Sequence, residues 1–403
     1  MIKHFKKIIS IFLIITILPI YSFSDDINEE NLDTLNTLQV NSNTNSINLN
    51  SKYGIVFDRT SKTILFEKNA YDKTAMASTT KIMTAILAIE NAKLTDITKI
   101  SKKAANTSGS TLGINANSEM TLESLLYGLL LRSGNDCAVA IAEHISGSTE
   151  NFANLMNVKA KELNLKNTNF VTPHGLDATN HYTTTYDLAL LTDYALNNET
   201  FYKIVGTNRA QISLGNSTKS INNTNELLNR IDGVYGVKTG FTADAGRCLV
   251  SACKRNNFDI IVIVLGAGTK SQRTTDSINL INYTYKNFEM YNFEELINSS
   301  FKSFIENYYN EIIINKAVDN PIFELKKINF LLPIDKKDID NFKISTYTLN
   351  YIDSPISSNF KIGVLQLYVN NMPVLSVDIT IKNAISKRTT IQYFIYLLKN
   401  ITI

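Results

Sequence analysis

The spacing of apolar residues divides the chain into a larger α/β part followed by a smaller β part. Strand-like apolar segments of the larger part are residues 53–57, 63–66, 234–238, 247–253 and 259–265. Helical spacing, with apolar residues three and four apart, recurs in residues 78–90, 121–132, 136–144, 183–196 and 271–285. Strands near both ends therefore enclose a run of helices. This pattern predicts an α/β domain over residues 49–290, with a helical lobe inserted into it.

Past residue 291 the pattern consists of short β-type segments. They are residues 311–314, 322–325, 342–349, 361–369 and 374–381. Residues 370–373 join the last two segments and suit a hairpin. We therefore predict a small all-β domain over residues 291–384.

The N-terminus has the features of a secretory signal. Three lysines in the first seven residues precede an apolar run at residues 8–20, and cleavage is expected after Ser24. We predict a signal peptide at residues 1–24 and a flexible spacer at residues 25–48, which are rich in Asn, Ser and Thr. The alternative is an uncleaved N-terminal anchor. Either one predicts export, to the outer face of the cytoplasmic membrane or to the cell wall.

The last residues, 385–403, predict an amphipathic helix. Lys387 and Arg388 precede an aromatic-rich apolar stretch that is too short to span a bilayer comfortably. Such a helix suits anchoring at the surface of an anionic membrane. The alternative is that the helix packs on the preceding domain.

Composition narrows the classes of function. A net charge of +3 over 403 residues gives no reason to expect a nucleic-acid partner, and four His with three Cys offer no metal-ligand cluster. We therefore predict neither a metal nor another cofactor. An odd number of cysteines in an exported chain also argues against a disulfide framework. Cys248 and Cys253, at odd separation on a predicted strand, should face opposite sides of it.

Three short motifs occur in the order S-x-x-K, S-x-N and K-T-G. They are Ser78-Thr79-Thr80-Lys81, Ser133-Gly134-Asn135 and Lys238-Thr239-Gly240. This ordered set marks enzymes in which a serine is acylated by a D-Ala-terminated peptide or by a β-lactam. The first two motifs recur elsewhere, at Ser251/Lys254, Ser299/Lys302, Ser358/Lys361 and Ser277/Asn279. Among the S-x-x-K pairs, Ser78/Lys81 is the one at the start of a predicted helix within the α/β part, so we take it as the reactive pair.

The types of residue in the first motif suit nucleophilic catalysis. A serine hydroxyl is a weak nucleophile that needs an adjacent base, and Lys81 lies one helical turn from Ser78. Burial and a second cation, Lys238, would lower the pKa of Lys81 and make it a base. The N–H groups of the helix N-terminus would stabilise an oxyanion. The alternative for Ser78 is an ordinary helix N-cap.

The second motif lies in a predicted break between two helices. There Ser133 would relay a proton to the leaving D-alanine nitrogen, and Asn135 would hold Lys81 and the substrate amide. The alternative is ordinary turn chemistry, since Ser, Gly and Asn all favour turns.

The third motif predicts a binding site for a substrate carboxylate. Lys238 would lie on an edge strand beside Thr239, and Gly240 would allow the substrate to approach closely. The N–H of Phe241 would then be the second oxyanion donor. The alternative for Lys238 is a solvated lysine at the end of a strand.

Around these motifs the chain resembles the low-molecular-weight penicillin-binding proteins that act as D-alanyl-D-alanine carboxypeptidases. Four segments carry the resemblance: AMASTTKIMT at 75–84, SGND at 133–136, FVTPHGLD at 170–177 and GVKTG at 236–240. It covers residues 52–285 closely and the remainder more loosely. It implies the fold of serine β-lactamases and penicillin-binding transpeptidases, an antiparallel sheet with helices and an inserted helical lobe.

The resemblance also implies the roles of individual residues. It assigns four of them: the acyl-ester nucleophile Ser78, the general base Lys81, the proton relay Ser133 and the carboxylate binder Lys238. Arg273 matches a family arginine that also addresses the terminal carboxylate, and His174 and His181 match structural residues. Phe241 departs from the family, which often has a polar or small residue there, and this departure affects the leaving-group pocket.

The activity implied by the resemblance is removal of the terminal D-alanine from peptidoglycan stem pentapeptides, with β-lactams as covalent inhibitors. The role would be maturation of the vegetative wall or of the spore cortex. The main alternative is a D,D-endopeptidase acting on cross-linked peptidoglycan, and a transpeptidase is a further one. A class A β-lactamase would need the Glu of an E-x-x-L-N element, where this chain has Ala160 before Leu163-Asn164. A penicillin-binding scaffold or sensor would tolerate decayed motifs, and none of the three has decayed.

Overall fold

The structure is a computed structural model that describes residues 47–214 and 217–401. The predicted signal peptide, residues 1–24, lies outside the described residues. The predicted spacer lies outside them as well, apart from its last two positions.

The described elements follow one another along the chain. The strands are β1 Tyr53–Asp58, β2 Ile64–Lys68, β3 Ile97–Lys99, β4 Glu119–Thr121, β5 Arg209–Leu214, β6 Ser217–Asn222, β7 Val234–Thr242, β8 Gly246–Arg255, β9 Phe258–Ala267, β10 Phe288–Asn292, β11 Ile313–Asn315, β12 Phe323–Leu325, β13 Leu331–Asp335, β14 Phe342–Thr348, β15 Tyr351–Asp353, β16 Phe360–Val369 and β17 Met372–Ile381. The α-helices are α1 Lys81–Asn91, α2 Lys102–Ala105, α3 Leu122–Leu131, α4 Asn135–Ser146, α5 Thr149–Glu162, α6 Thr185–Leu196, α7 Glu199–Val205, α8 Lys270–Asn287, α9 Glu294–Tyr308 and α10 Thr390–Ile401. Short 3₁₀ helices at Ala77–Thr80 and Tyr309–Glu311 precede α1 and follow α9.

A five-stranded antiparallel sheet with the order β2-β1-β9-β8-β7 forms the centre of the larger domain. β1 and β2 precede the helical lobe in the chain and β7 to β9 follow it, as the apolar pattern predicted. Residues 260–265 of the central strand β9 are all 0% exposed. This unbroken apolar run is explained by cover on both faces of the sheet.

Two apolar clusters cover the two faces of this sheet. The first contains the buried sides of α1, α3 and α4 and therefore joins the sheet to the helical lobe. The second packs Leu280 and Ile281 of α8 against the opposite face. Cys248 belongs to the first cluster and Cys253 to the second, so the two cysteines face opposite sides of β8, as predicted. Both are free and buried, as is Cys137.

The smaller domain is built on a four-stranded antiparallel sheet with the order β12-β17-β16-β14. Its apolar cluster is separate from those of the larger domain and draws on residues 293–385. The hairpin between β16 and β17 turns at Asn370 and Asn371, with φ angles of 49° and 64°. Asn tolerates these angles in a type I′ turn, so the predicted hairpin is confirmed. One helix, α9, packs on the sheet and was not predicted.

The C-terminal helix α10 presents an apolar surface to solvent. Its exposed large side chains are Ile391, Phe394, Ile395, Tyr396, Leu397 and Leu398. The guanidinium of Arg388 lies 4.0 Å from the centroid of the Tyr396 ring, so a basic side chain borders this apolar surface. Across the described residues, no helix combines the length and the apolar character that crossing a membrane requires.

Candidate active site

Ser78 and Lys81 lie where the 3₁₀ helix runs into α1. Lys81 Nζ donates a hydrogen bond to Ser78 Oγ at 2.7 Å. Ser78 is the second residue of the 3₁₀ helix, and neither that helix nor α1 has a side-chain N-cap. The N-cap alternative is therefore wrong. Ser78 is half-buried, whereas Lys81 is fully buried.

The ammonium group of Lys81 has a hydrogen-bond acceptor for each of its three protons. Besides Ser78, it donates to Asn135 Oδ1 at 2.7 Å and to the His174 carbonyl at 2.6 Å. Burial lowers the pKa of Lys81 well below its usual value, and the nearby charge of Lys238 lowers it further. Both causes were expected from the sequence. A neutral amine in hydrogen-bond contact with a serine hydroxyl can accept its proton.

Ser133 and Asn135 occupy a tight break between α3 and α4. Ser133 has a φ of 64°, which turns the chain sharply before α4 begins at Asn135. Ser133 Oγ accepts a hydrogen bond of 3.0 Å from Lys238 Nζ. Asn135 holds Lys81 through its carbonyl oxygen, and its Nδ2 donates to the Ser108 carbonyl at 2.7 Å. The turn thus joins the first and third motifs.

Lys238 lies on β7, the edge strand of the five-stranded sheet, as predicted. Its side chain is 1% exposed and its Nζ also donates to the Thr239 carbonyl at 2.9 Å. Burial, with the charge of Arg273, lowers the pKa of Lys238 to about 7. Lys238 is therefore a buried cation at the edge of the sheet and not a solvated strand-end lysine.

Gly240 lets β7 pass directly against the turn that carries Ser78. A Cβ atom at this position would lie 3.1 Å from Ala77 Cβ and 3.2 Å from the backbone nitrogen of Ser78. Ala77 itself has a φ of 47°, so the turn approaches β7 through an unusual backbone conformation. Any larger residue at position 240 would push the strand away from the nucleophile.

His174 and His181 contact the turn that carries Ser78 and are not general bases. Burial lowers the pKa of His174 to about 3 and that of His181 to about 4, so both are neutral near pH 7. His181 Nδ1 accepts from the Val171 N–H at 2.9 Å, and its Nε2 lies 2.9 Å from Thr80 Oγ1. Since Thr80 Oγ1 donates its proton to the Ala77 carbonyl, Nε2 is the donor in that pair.

Comparison with known proteins identifies the family. Residues 39–269, more than half of the chain, match the peptidase S11 family, described as D-alanyl-D-alanine carboxypeptidase. The chain belongs to this family. It is 37% identical over 245 residues to the D-alanyl-D-alanine carboxypeptidase DacF of Bacillus subtilis, which covers 59% of this chain and 63% of DacF. It is 35% identical over 258 residues to DacC of Escherichia coli, which covers 58% of this chain and 61% of DacC. The match therefore spans less than two thirds of the length of these relatives.

A solved structure extends the likeness to the smaller domain. Penicillin-binding protein 5 from Haemophilus influenzae is 25% identical to this chain, with a TM-score of 0.72. The likeness covers 85% of this chain and 99% of that structure. The predicted fold class, a penicillin-binding domain followed by a β domain, is confirmed.

Two features of this family member were not found by sequence reasoning. The buried carboxylate of Asp136 accepts hydrogen bonds from four backbone N–H groups: Leu112 at 3.0 Å, Gly113 at 2.8 Å, Ile114 at 3.2 Å and Cys137 at 2.9 Å. It fixes the loop that faces Asn135. Its position directly after the second motif was the available signal.

Arg273 extends from α8 towards Lys238 and is 4% exposed. Its guanidinium donates to Glu226, and that ion pair was the second missed feature. Arg273 Nε has no hydrogen-bond partner among the described residues. The ion pair joins residues 47 positions apart, so no local pattern could have indicated it. The role of Arg273 towards a substrate carboxylate stays a prediction.

The recurrences of the first motif lie outside the active site. Ser251 is fully buried on β8, whereas Lys254 is exposed. Ser299 and Lys302 are both exposed on α9, in the smaller domain. Ser251 pairs with Val237 beside the third motif, but on a strand its side chain and that of Lys254 point to opposite faces, so the two cannot act together. The described residues also contain no group of three or more His, Cys, Asp or Glu placed to hold a metal ion.

Proposed function

We propose that this chain is a serine D-Ala-D-Ala carboxypeptidase that removes the terminal D-alanine from peptidoglycan stem pentapeptides. The observation that carries the proposal is the contact between Ser78 and Lys81. A buried amine whose pKa is lowered lies at 2.7 Å from the serine hydroxyl oxygen, in a chain that belongs to the D-alanyl-D-alanine carboxypeptidase family. The names of its relatives support the substrate class.

In the proposed reaction Ser78 attacks the carbonyl of the penultimate D-alanine. Lys81 takes the hydroxyl proton as the Oγ–C bond forms. The oxyanion that develops is stabilised by the backbone N–H groups of Ser78 and Phe241, which lie on the two sides of the close approach at Gly240. The terminal carboxylate of the substrate binds Lys238 and Thr239, with Arg273 behind Lys238.

The leaving group then needs a proton. Ser133 Oγ accepts from Lys238, so its own hydroxyl proton is free to be donated to the D-alanine nitrogen. The C–N bond breaks and D-alanine departs as a neutral amine. Ser133 regains a proton from Lys238, and the proton that Lys81 took from Ser78 restores Lys238, which leaves Lys81 neutral again. Water then attacks the acyl ester, with Lys81 as base, and releases the shortened peptide and Ser78.

A β-lactam would acylate Ser78 by the same attack and then stay bound. Fast hydrolysis of that ester requires a carboxylate that activates water, and the position where class A β-lactamases hold it is Ala160 here. Ala160 is 2% exposed within the apolar cluster of the helical lobe. The arrangement therefore favours a penicillin-inhibited enzyme over a β-lactamase. The carboxypeptidase names of the relatives likewise favour terminal cleavage over endopeptidase activity.

The proposed place of action is the outer face of the cytoplasmic membrane or the cell wall. The lysine-rich start and apolar run of residues 1–20 support export. Loss of the terminal D-alanine would deprive cross-linking enzymes of their donor, so the chain would act in maturation of the vegetative wall or the spore cortex.

The proposal includes contact between α10 and a membrane surface. The support is a row of exposed apolar side chains, such as Ile391 at 74% and Phe394 at 61%, bordered by Lys387 and Arg388. An amphipathic helix of this kind lies in the interface of an anionic bilayer without crossing it.

The decisive experiment measures D-alanine release from a stem pentapeptide by the full chain after export from its expression host. Ser78→Ala is the test variant, and Ser299→Ala, which changes an exposed S-x-x-K serine in the smaller domain, is the matched control. We expect release by the wild type and by Ser299→Ala, and none by Ser78→Ala. Penicillin labelling of Ser78 without any D-alanine release would instead support an endopeptidase or a binding role.

A further inference from the structure

Arg247 is a cation at the rim of the active site without a carboxylate partner. Its guanidinium carbon lies 3.7 Å from the centroid of the Phe241 ring, and that ring is 54% exposed. Within the described part of the chain, no carboxylate oxygen lies within 4.0 Å of the Arg247 side chain. Arg59, Arg255 and Arg273, by contrast, each pair with a carboxylate. Stacking on Phe241 therefore positions a guanidinium that has no carboxylate partner among the described residues.

The position of Arg247 follows from the pairing of β7 with β8. Phe241 comes directly after Gly240, and its cross-strand partner is Arg247. An oxyanion donor at Phe241 requires that its N–H point away from β8. In an antiparallel ladder such residues form the non-hydrogen-bonded pairs, whose side chains approach most closely. The stacking distance of 3.7 Å agrees with this arrangement.

The direction of the bound peptide decides which of its residues would meet Arg247. In the proposed function, the terminal carboxylate binds at Lys238 and the scissile carbonyl lies at Ser78. Because β7 is an edge strand, the peptide extends along its open side, antiparallel to it. The residue that precedes D-Ala-D-Ala then lies beyond Phe241, on the side of Thr242. Arg247 borders that part of the strand.

We propose that Arg247 is a specificity-determining residue that binds a carboxylate on the side chain of the residue preceding D-Ala-D-Ala. The Phe241 ring occupies one face of the guanidinium and leaves its N–H edges available for a bidentate contact. An uncharged side chain at this position of the stem peptide would gain no such contact. The inference rests on the proposed function, because it adds a contact to the same bound peptide.

The test compares two peptides that differ only in charge. Both are N-acetylated tripeptides ending in D-Ala-D-Ala; the first residue is L-α-aminoadipate in one and its side-chain amide in the other. The enzymes are the wild type, Arg247→Gln and Arg255→Gln. Arg255 is the matched control, since it lies at the opposite end of the same strand and its guanidinium stacks 4.6 Å from the centroid of the Tyr285 ring.

We expect the wild type and Arg255→Gln to prefer the charged peptide by about fivefold in kcat/KM, as for a partly exposed ion pair. Arg247→Gln should lose this preference while its kcat/KM for the amide peptide stays within about twofold of the wild type. The preference should also shrink as salt is raised. Equal preference in wild type and Arg247→Gln, or no preference in the wild type, would overturn the inference.

A second measurement separates this inference from the proposed function. Carbenicillin carries a side-chain carboxylate that benzylpenicillin lacks, and the rate of Ser78 acylation by each needs no peptide hydrolysis. If neither tripeptide were cleaved, the carboxypeptidase proposal would fail. The ratio of the two acylation rates would still test whether Arg247 binds a side-chain carboxylate. A faster reaction with carbenicillin that Arg247→Gln abolishes supports the inference, and a ratio unchanged by Arg247→Gln refutes it.

Discussion

Two buried lysines contact the same turn, residues 133–135, and need opposite protonation states. Lys81 must be neutral to accept the Ser78 proton, whereas Lys238 must be charged to bind a carboxylate. The two lysines differ in the charge that lies nearby. Burial lowers the pKa of both, and the charge of Lys238 lowers the pKa of Lys81 further, whereas the charge of Arg273 lowers the pKa of Lys238. Asn135 accepts from Lys81 and Ser133 accepts from Lys238, so one turn positions both amines. Since like charges repel, deprotonation of Lys81 favours the charged form of Lys238.

This arrangement predicts a bell-shaped pH dependence of kcat/KM for D-alanine release. The rate should rise as Lys81 loses its proton and fall as Lys238 loses its own near pH 7. In Lys238→Arg the cation stays charged throughout the accessible range, so the alkaline fall should disappear. Profiles from about pH 5 to about pH 10 test this, with the exposed Lys254→Arg as control. An alkaline fall near pH 7 that persists in Lys238→Arg would assign it to another group.

Replacement of Asp136 should lower both the free energy of unfolding and the rate of acylation of Ser78. Asp136→Asn replaces the charged acceptor of four backbone N–H groups with an amide that has one acceptor oxygen. We expect the free energy of unfolding to fall by about 3 kcal/mol in urea titrations. Penicillin acylation of Ser78 should slow about tenfold or more, because the loop that faces Asn135 is released. Glu123→Gln, an exposed acid on α3, should change neither quantity.

The three motifs could be predicted from sequence because each spans three or four consecutive residues, and the chemistry depends on that spacing. Ser78 and Lys81 are one turn apart, so a single helix start places them together. The residues that contact these motifs, or contact Arg273 beside them, come from distant parts of the chain. Glu226 meets Arg273 from 47 residues away, and the carbonyl that binds Lys81 comes from His174, 93 residues away. Such pairs depend on the packing of several elements, which one sequence does not specify.

At the scale of elements, the close passage of β7 against the 3₁₀ turn predicts a sharp effect at Gly240. Gly240→Ala places a methyl group 3.1 Å from Ala77 Cβ and 3.2 Å from the Ser78 nitrogen, so strand and turn must separate by a few tenths of an ångström. We expect penicillin acylation of Ser78 to slow about tenfold or more. The free energy of unfolding should fall by only about 1 kcal/mol.

The control for this prediction is Gly268→Ala. A methyl group there would meet only the end of the flexible Gln272 side chain, at 3.0 Å. Its acylation rate should match the wild type. Wild-type acylation by Gly240→Ala would mean that the strand and the turn need not touch in the reactive state.

Elements that the pattern missed have narrow buried faces. In α5, Phe152, Met156 and Ala160 are buried at every fourth position, and the other sides are largely polar. In the β5–β6 hairpin, Ile212 and Ile221 are the buried residues among the described positions of two polar strands. Apolar periodicity detects an element by the width of its buried face, so the central β9 was evident and these were not. The same reason explains α9, which buries Ile297 and Phe304 on one side.

At the scale of the whole molecule, the active site and the apolar helix α10 belong to different domains. Ser78 lies in the larger domain, whereas α10 follows the smaller one, whose apolar cluster is separate. Binding of a surface by α10 and chemistry at Ser78 should therefore be independent.

This separation predicts that membrane binding can be removed without loss of activity. Replacing Ile391, Phe394 and Ile395 together by serine polarises one face of α10, where these side chains are 74%, 61% and 47% exposed. In co-sedimentation with phosphatidylglycerol vesicles, we expect bound protein to fall about tenfold or more, since each apolar side chain contributes to interfacial binding. The rate of D-alanine release from a soluble pentapeptide should stay within about twofold of the wild type. Gln392→Ser on the same helix is the control and should sediment as the wild type does. Unchanged sedimentation of the triple variant would mean that α10 does not hold the protein on the bilayer and that its apolar side chains serve another contact.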